Sequence, residues 1–323
     1  MKSRMKKEIK KMISILLRPY FYLYGSWPMW FFIFNHEPRK LLQGDSRTPA
    51  EVEKRLIHEL KEKGIASVHI DELFSGKNIL PILKQYADSL LPLAKIRPGK
   101  EFLRALWEDD NVLDLTNPFM QLALSDEVLS IVNGYTDMYS KFFYSSLDLT
   151  MPVGDGSSPI RSQNWHRDPE DRKMCKMFLY LTDVDESSGP FMYIQSSHVD
   201  GRYGIFFPQR PPKGSYPAED DVNRLIFKED IQVCMGKAGT ILFADTAGLH
   251  RGGYATGKSR LMFTAEYSSI ASLRPIKYRF PENFKSNKTL LGSAARFATD
   301  NNFGWTRFFR LPSDLAIKYG IYD

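Results

Sequence analysis

Between residues 141 and 269 the chain is a series of short apolar runs rich in β-branched and aromatic residues. They read KFFYSSLDLTMP, MCKMFLYLTDV, PFMYIQS, DIQVCM, GTILFAD and RLMFTAEYSS, each bounded by Gly, Pro, Asp or Ser. Such runs predict strands. No stretch among them has the length and period of a convincing helix. The N-terminal third has a different texture. TPAEVEKRLIHELKEKG carries apolar residues at helical spacing, with Thr48 as cap, Pro49 at the first helical position and Gly64 past the end. The strand-like IASVHI follows, then helical patterns to about residue 137. The pattern as a whole predicts an antiparallel β sandwich or barrel behind a helical N-terminal third. PQRPPKGSYP, residues 208–217, interrupts it as a surface loop.

The first residues, MKSRMKKEIKKMISILLRP, predict a basic amphipathic helix. Met5, Ile9, Met12, Ile13 and Leu16 share one face, Lys6, Lys7, Lys10 and Lys11 the other, and Pro19 ends it. YFYLYGSWPMWFFIFN follows, dense in aromatics. Arg18, Pro19 and Pro28 break the apolar runs before any reaches the roughly 18 residues of a membrane span. No small-residue cleavage site marks a signal peptide. Two readings stand: residues 1–35 lie on an anionic membrane surface, or residues 20–35 pack on the body and the lysines are solvated. The expected division is residues 1–47 as a separate N-terminal segment and 48–323 as the main domain.

Charge sharpens this picture. Of the formal net +6, residues 1–18 hold seven basic side chains and one acidic, leaving 37 of each sign (44 less 7, and 38 less 1) in the remainder. The body is neutral overall, so no spread basic surface for nucleic acid is indicated. Two cysteines, Cys175 and Cys234, make neither a disulfide framework nor a cysteine zinc site, and a reducing cytoplasm is the simpler setting. The sequon at Asn287, Lys288 and Thr289 lacks a secretory context.

The candidate chemistry lies in NWHRDPEDRKM. On a strand, residues i and i+2 share a face, so His166 and Asp168 can converge inside a barrel while Trp165 and Arg167 point outward. One more histidine from another strand completes a two-His, one-carboxylate triad, which suits non-haem Fe(II) oxygen chemistry. His-x-Asp occurs three times, at His69/Asp71, His166/Asp168 and His198/Asp200. His69 lies on what reads as an edge strand, and His198 at a turn. His166 opens the β-rich half. His250, in GTILFADTAGLHRGG, is the one histidine after His198. Spacing alone also permits His198, Asp200 and His250. Arg260 supplies a further argument: it starts the apolar strand RLMFTAEY, and a hairpin after His250 would return it to the interior. A buried guanidinium binds the far carboxylate of a metal-chelating 2-oxo acid in a bidentate way.

The stretch NWHRDPEDRKMCKMFLYLTDVDESSGPFMYIQSSH, with His250 and an arginine ten residues later, resembles the core of the phytanoyl-CoA dioxygenase family of Fe(II)/2-oxoglutarate oxygenases, over roughly residues 48–270. The resemblance implies a double-stranded β-helix (a jelly-roll relative of the cupins) with flanking helices. It implies His166, Asp168 and His250 on Fe(II), Arg260 on 2-oxoglutarate, O2 as co-substrate, and hydroxylation of a small or lipid-like molecule. His198 corresponds to a loop histidine and not a ligand. Where the family often has Pro-Gly before Ser-His, this chain has Gln195 and Ser196. Asn164 and Thr150 are candidates for a second 2-oxoglutarate donor. An aspartate at 168, where Gly or Ala would admit a halide, argues against halogenation. Glu170, Asp171 and Asp245 are candidates to support the ligand histidines, against the reading of DPEDRK as a solvated charged loop. A cupin using another metal without 2-oxoglutarate, and a non-catalytic jelly-roll binding protein, are the competing readings.

Overall fold

The computed structural model describes residues 22–107, 112–153, 157–210 and 214–272, most of 274–281, 291–300 and 303–308, and scattered positions between 12 and 20. The basic residues of positions 1–18 and the sequon lie outside the described residues. Each apolar run of the C-terminal half forms a strand. In chain order the strands are β1 (Ile65–His69), β2 (Lys95–Arg97), β3 (Lys100–Ala105), β4 (Lys141–Thr150), β5 (Met174–Tyr180), β6 (Phe191–Ile194), β7 (Ile231–Cys234), β8 (Thr240–Ala244), β9 (His250–Arg251) and β10 (Arg260–Ser268). They build a seven-stranded sheet, β1-β8-β5-β10-β4-β3-β2, and a three-stranded one, β7-β6-β9. The strand pairs are antiparallel. This is the mainly β jelly-roll core with flanking helices.

The period-2 alternation of strand side chains decides what each face meets. On β5, Cys175, Met177 and Leu179 face the helices, while Phe178 and Tyr180 face the small sheet. On β10, Leu261, Phe263, Ala265 and Tyr267 join the helix-side core, and Arg260, Met262 and Thr264 turn toward the space between the sheets. The helices Glu51–Lys63 and Asp126–Thr136 cover the outer face with Leu56, Leu60, Val128 and Val132. A register shift between Glu266 and Tyr267 is a β-bulge that lets Phe142 join Tyr267 on the helix side although Tyr144 lies inward.

Several expectations need correction. The helix at residue 51 is capped at Ala50, not Thr48, because Glu53 reaches back to the Ala50 N–H at 3.2 Å while also gripping Arg47 and Ser130. Gly64 ends it as expected, at φ 78°. The helical texture up to residue 137 is broken by the β2–β3 hairpin, turned by Pro98 and Gly99. A seven-residue helix, Glu219–Leu225, sits where none was expected. Pro19 and Tyr20 are helical, and the chain turns at Gly25 instead. From there a wide helical turn, Met29–Phe34, lays Trp30 and Phe34 with Tyr24 against Met138 and Ala271. One face of the aromatic segment thus packs on the body. Among the described residues no helix is long and apolar enough to cross a membrane.

Candidate metal and keto-acid site

His166 and His250 meet at an antiparallel bridge between two short extended pieces. The His166 N–H donates to the His250 carbonyl at 2.9 Å, and the His250 N–H to the His166 carbonyl at 3.0 Å. The Asp168 N–H donates to the Thr246 carbonyl at 2.9 Å, which keeps residue 168 extended and its side chain on the face of His166. One ligand atom from each of His166, Asp168 and His250 falls within 4.8 Å of the other two, the one such group among the described residues. The alternative set with His198 and Asp200 is not assembled. His198 is buried with Nε2 at 3.2 Å from the Lys61 carbonyl, and Asp200 faces Lys173. His69 ends the edge strand β1, with Nε2 at 3.1 Å from the Ala238 carbonyl.

The two ring nitrogens nearest the backbone are already used. His166 Nδ1 lies 2.9 Å from the Asn164 carbonyl and His250 Nδ1 3.0 Å from the Gly248 carbonyl. A carbonyl only accepts, so Nδ1 carries the proton in each ring and Nε2 keeps its lone pair. The Nε2 atoms lie 3.7 and 3.5 Å from the Asp168 carboxylate. Burial lowers both imidazole pKa values, that of His250 to about 3 with His166 adding to the effect. Both rings are therefore neutral, as metal ligation requires. The carbonyls that orient them replace the carboxylates expected from sequence. Asp245 accepts from the Tyr135 hydroxyl and the Ala247 N–H, Asp171 from Trp30, and Glu170 pairs with Arg274. The DPEDRK stretch is no solvated loop: Asp171 is buried beneath the aromatic segment.

Asp168 has a partner that sequence reading missed. Lys176, from the middle of β5, donates to Asp168 Oδ2 at 2.7 Å and lies 3.3 Å from Glu266 of β10. Burial alone would push the Asp168 pKa up, but the Lys176 ammonium holds it well below the ordinary carboxylate range. Burial would likewise discharge Lys176, and Asp168, Tyr144 and Glu266 keep it protonated. The available signal was a lone lysine inside an otherwise apolar, wholly buried strand.

Arg260 faces the same space. A cavity of about 180 Å3 between the sheets is lined by His166, Asp168, His250, Lys176, Thr150 and Arg260 together with apolar groups such as Phe178 and Phe191. Arg260 is 3% exposed. It donates to the Gly189 carbonyl and, at 3.4 Å, to Thr150 Oγ1, while its Nε finds no partner. Among the described residues no carboxylate lies within ion-pair distance of it. The route from His250 is not a hairpin: β9 belongs to the small sheet and β10 to the large one, so residues 252–259 cross between them. Gly189 fits that crossing because its φ is +66° and a Cβ would stand 2.6 Å from the Ala255 nitrogen. Asn164 turns away to the Pro159 carbonyl and does not line the cavity.

Two residues placed on the outer face of the barrel are not in solvent. Trp165 is buried, and Arg167 donates to the carbonyls of Ser197, Ala247, Tyr203 and Phe206. The loop of residues 208–217 also reaches the site: Ser215 bridges Arg167, and the Tyr216 ring stacks on His166 with centroids 5.3 Å apart.

No protein-family model and no curated protein matches the sequence. Solved structures do share the fold. The epimerase SnoN in complex with Fe3+, alpha ketoglutarate and nogalamycin RO aligns at a TM-score of 0.51 and 14% identity, over 68% of this chain and 84% of that one. EctD from S. alaskensis with bound Fe aligns at 0.51 and 16% identity, over 74% and 84%. EctD with 2-oxoglutarate and 5-hydroxyectoine aligns at 0.50 and 15% identity, over 73% and 90%. At such identities the likeness speaks for the jelly-roll fold.

Proposed function

We propose that this chain is an Fe(II)- and 2-oxoglutarate-dependent oxygenase of the phytanoyl-CoA dioxygenase family, hydroxylating an aliphatic C–H bond of a small or lipid-like molecule. One observation carries the reading: two neutral imidazoles and a carboxylate converge at a cavity that also holds a buried arginine without a carboxylate partner. The solved structures with iron and keto acid on the same fold support it.

The donor set fits the metal. His166 Nε2, His250 Nε2 and one Asp168 oxygen would hold the metal, and two imidazoles with one carboxylate are the donor set that suits non-haem Fe(II). Arg260 fits the co-substrate, since a guanidinium buried without a counter-charge is costly until a carboxylate arrives. Bound iron would supply the coupling of O2 reduction and 2-oxoglutarate decarboxylation, to succinate and CO2, with oxidation of the substrate. The protein's own part is positional. Asn164 and Gly248 fix the ring tautomers, Lys176 holds Asp168 Oδ2, and Gly189 and Thr150 aim the guanidinium. The cavity is below the roughly 300 Å3 of a drug-sized pocket, enough for a short dicarboxylate. A cupin using another metal without a keto acid leaves the buried Arg260 unexplained.

The test is spectroscopic. Under anaerobic conditions, Fe(II) and 2-oxoglutarate with the full chain are expected to give the weak visible charge-transfer band of a chelated keto acid. No band with the native protein, or a band that persists in His166→Ala, overturns the assignment.

A further inference from the structure

We propose that the aromatic segment of residues 16–33 is a docking surface for an anionic lipid bilayer. Large apolar side chains on a soluble protein are normally scattered. Here Leu16, Tyr22, Leu23, Trp27, Phe32 and Ile33 are all exposed within 18 residues of chain, Tyr22 at 82% and Leu23 at 64%. Two are aromatic rings with a polar tip, the type that settles at the headgroup level, and four are Leu, Phe or Ile, which gain from hydrocarbon.

The opposite face of the segment is firmly seated, so the exposed face is presented by a folded element. Tyr24, Trp30 and Phe34 are buried, and the Tyr24 and Phe34 rings stack at 4.2 Å. Trp30 Nε1 donates to the buried Asp171 carboxylate at 2.7 Å, three residues beyond Asp168. The Arg39 guanidinium lies 3.5 Å from the centre of the Phe31 ring. Packing against this protein's own body thus accounts for Tyr24, Trp30, Phe31 and Phe34, with Tyr20 and Met29 partly buried, and leaves Leu16, Tyr22, Leu23, Trp27, Phe32 and Ile33 exposed.

Charge selects the occupant. Residues 1–18 carry the whole net +6 of the chain, while the remainder is balanced. Basic residues that directly precede an interfacial apolar segment in sequence favour acidic headgroups. A second copy of the chain would bring a second +6 N-terminal segment, and like charge disfavours it as the occupant. Nucleic acid would leave Leu16, Leu23 and Ile33 without a role. An acidic bilayer satisfies both the apolar side chains and the charge. The proposal is independent of the metal-site reading, because vesicle binding and keto-acid chemistry are measured separately.

The experiment is co-sedimentation of the full chain with vesicles. Binding to phosphatidylcholine vesicles containing about a third phosphatidylglycerol is expected to exceed binding to pure phosphatidylcholine at least about 10-fold, and to fall with salt. Leu23→Ser with Trp27→Ser, Phe32→Ser and Ile33→Ser should lower it about 100-fold, with the thermal midpoint unchanged since none of the four is buried. Lys6→Glu with Lys7→Glu, Lys10→Glu and Lys11→Glu should remove the preference for phosphatidylglycerol. The proposal is overturned if the native chain ignores the acidic vesicles or if the serine variant binds them equally well. It is also overturned if the native chain is a lipid-free dimer that the serine variant disperses, which would make the face a protein interface.

Discussion

The backbones of His166 and His250 exchange two hydrogen bonds while their rings stand 4.1 Å apart at 48°. The bridge brings together two residues 84 positions apart in sequence and does not depend on their side chains. Replacing either imidazole should therefore remove a ligand without undoing the bridge. In His166→Ala and in His250→Ala, binding of Co(II), read from its visible d–d bands, should weaken at least about 100-fold, more than loss of a supporting partner alone costs. Far-UV circular dichroism should stay native. Full cobalt stoichiometry at native affinity in both variants would show that the cluster is not a metal site.

A second consequence concerns Lys176 and Asp168, 2.7 Å apart and buried. Lys176→Met strands the Asp168 carboxylate and also takes a cation from Glu266. Removing one partner of a buried pair costs about 3–5 kcal/mol, so the metal-free variant should melt well below the native protein. A divalent metal returns positive charge to Asp168. The rise in thermal midpoint on adding Mn(II) should therefore be larger in Lys176→Met than in the native protein. Equal rises would mean that the lysine and the metal do not act on the same carboxylate.

Arg260 makes a separable prediction. It donates to Gly189 and Thr150, whereas His166 and His250 are oriented by Asn164 and Gly248 and Asp168 by Lys176. Arg260→Ala should raise the 2-oxoglutarate concentration needed for half-maximal succinate formation at least about 100-fold, the scale of a lost charge-assisted pair. Iron content should hold. Arg260→Lys should recover only part of this, since a point charge cannot reproduce the planar fork. Parallel loss of iron and keto acid would make the arginine a structural residue.

What could be read in the sequence was whatever depends on neighbours in the chain. The six β-rich runs became strands because each is bounded by turn residues and half of each is apolar in register. His166 and Asp168 share a face because they are two apart. The β2–β3 hairpin was missed since KIRPGKEF is polar and at an edge, although Pro98 and Gly99 marked the turn. Arg167 and Asp171 read as solvated charges because what buries them is remote: Trp30 is 141 positions from Asp171, and residues 197–206 and 247 close over Arg167. Lys176 and Glu266 were visible as charges inside apolar runs, but that they face each other follows only from the pairing of β5 with β10.

Asp245 sets a pH dependence of stability. Its carboxyl is buried and accepts from the Tyr135 hydroxyl at 2.5 Å and the Ala247 N–H at 2.9 Å. Burial outweighs these bonds and raises its pKa to about 7, against about 3.9 in an unfolded chain. The folded state then holds the proton more tightly, so this contribution is complete below pH 4 and disappears as pH rises through 7. Three units correspond to roughly 4 kcal/mol. Glu266, also raised to about 7 by burial, acts in the same direction. His166 and His250, lowered by burial, act in the opposite one, adding stability as pH rises toward 6.5. The native curve is a sum of these, and a single substitution isolates one of them. Asp245→Asn removes only the Asp245 share, whatever constant offset its amide introduces against Tyr135. Relative to the native protein, its urea unfolding free energy should rise by about 4 kcal/mol between pH 4 and pH 7.5. Parallel curves across that window would show that Asp245 titrates normally in the folded protein.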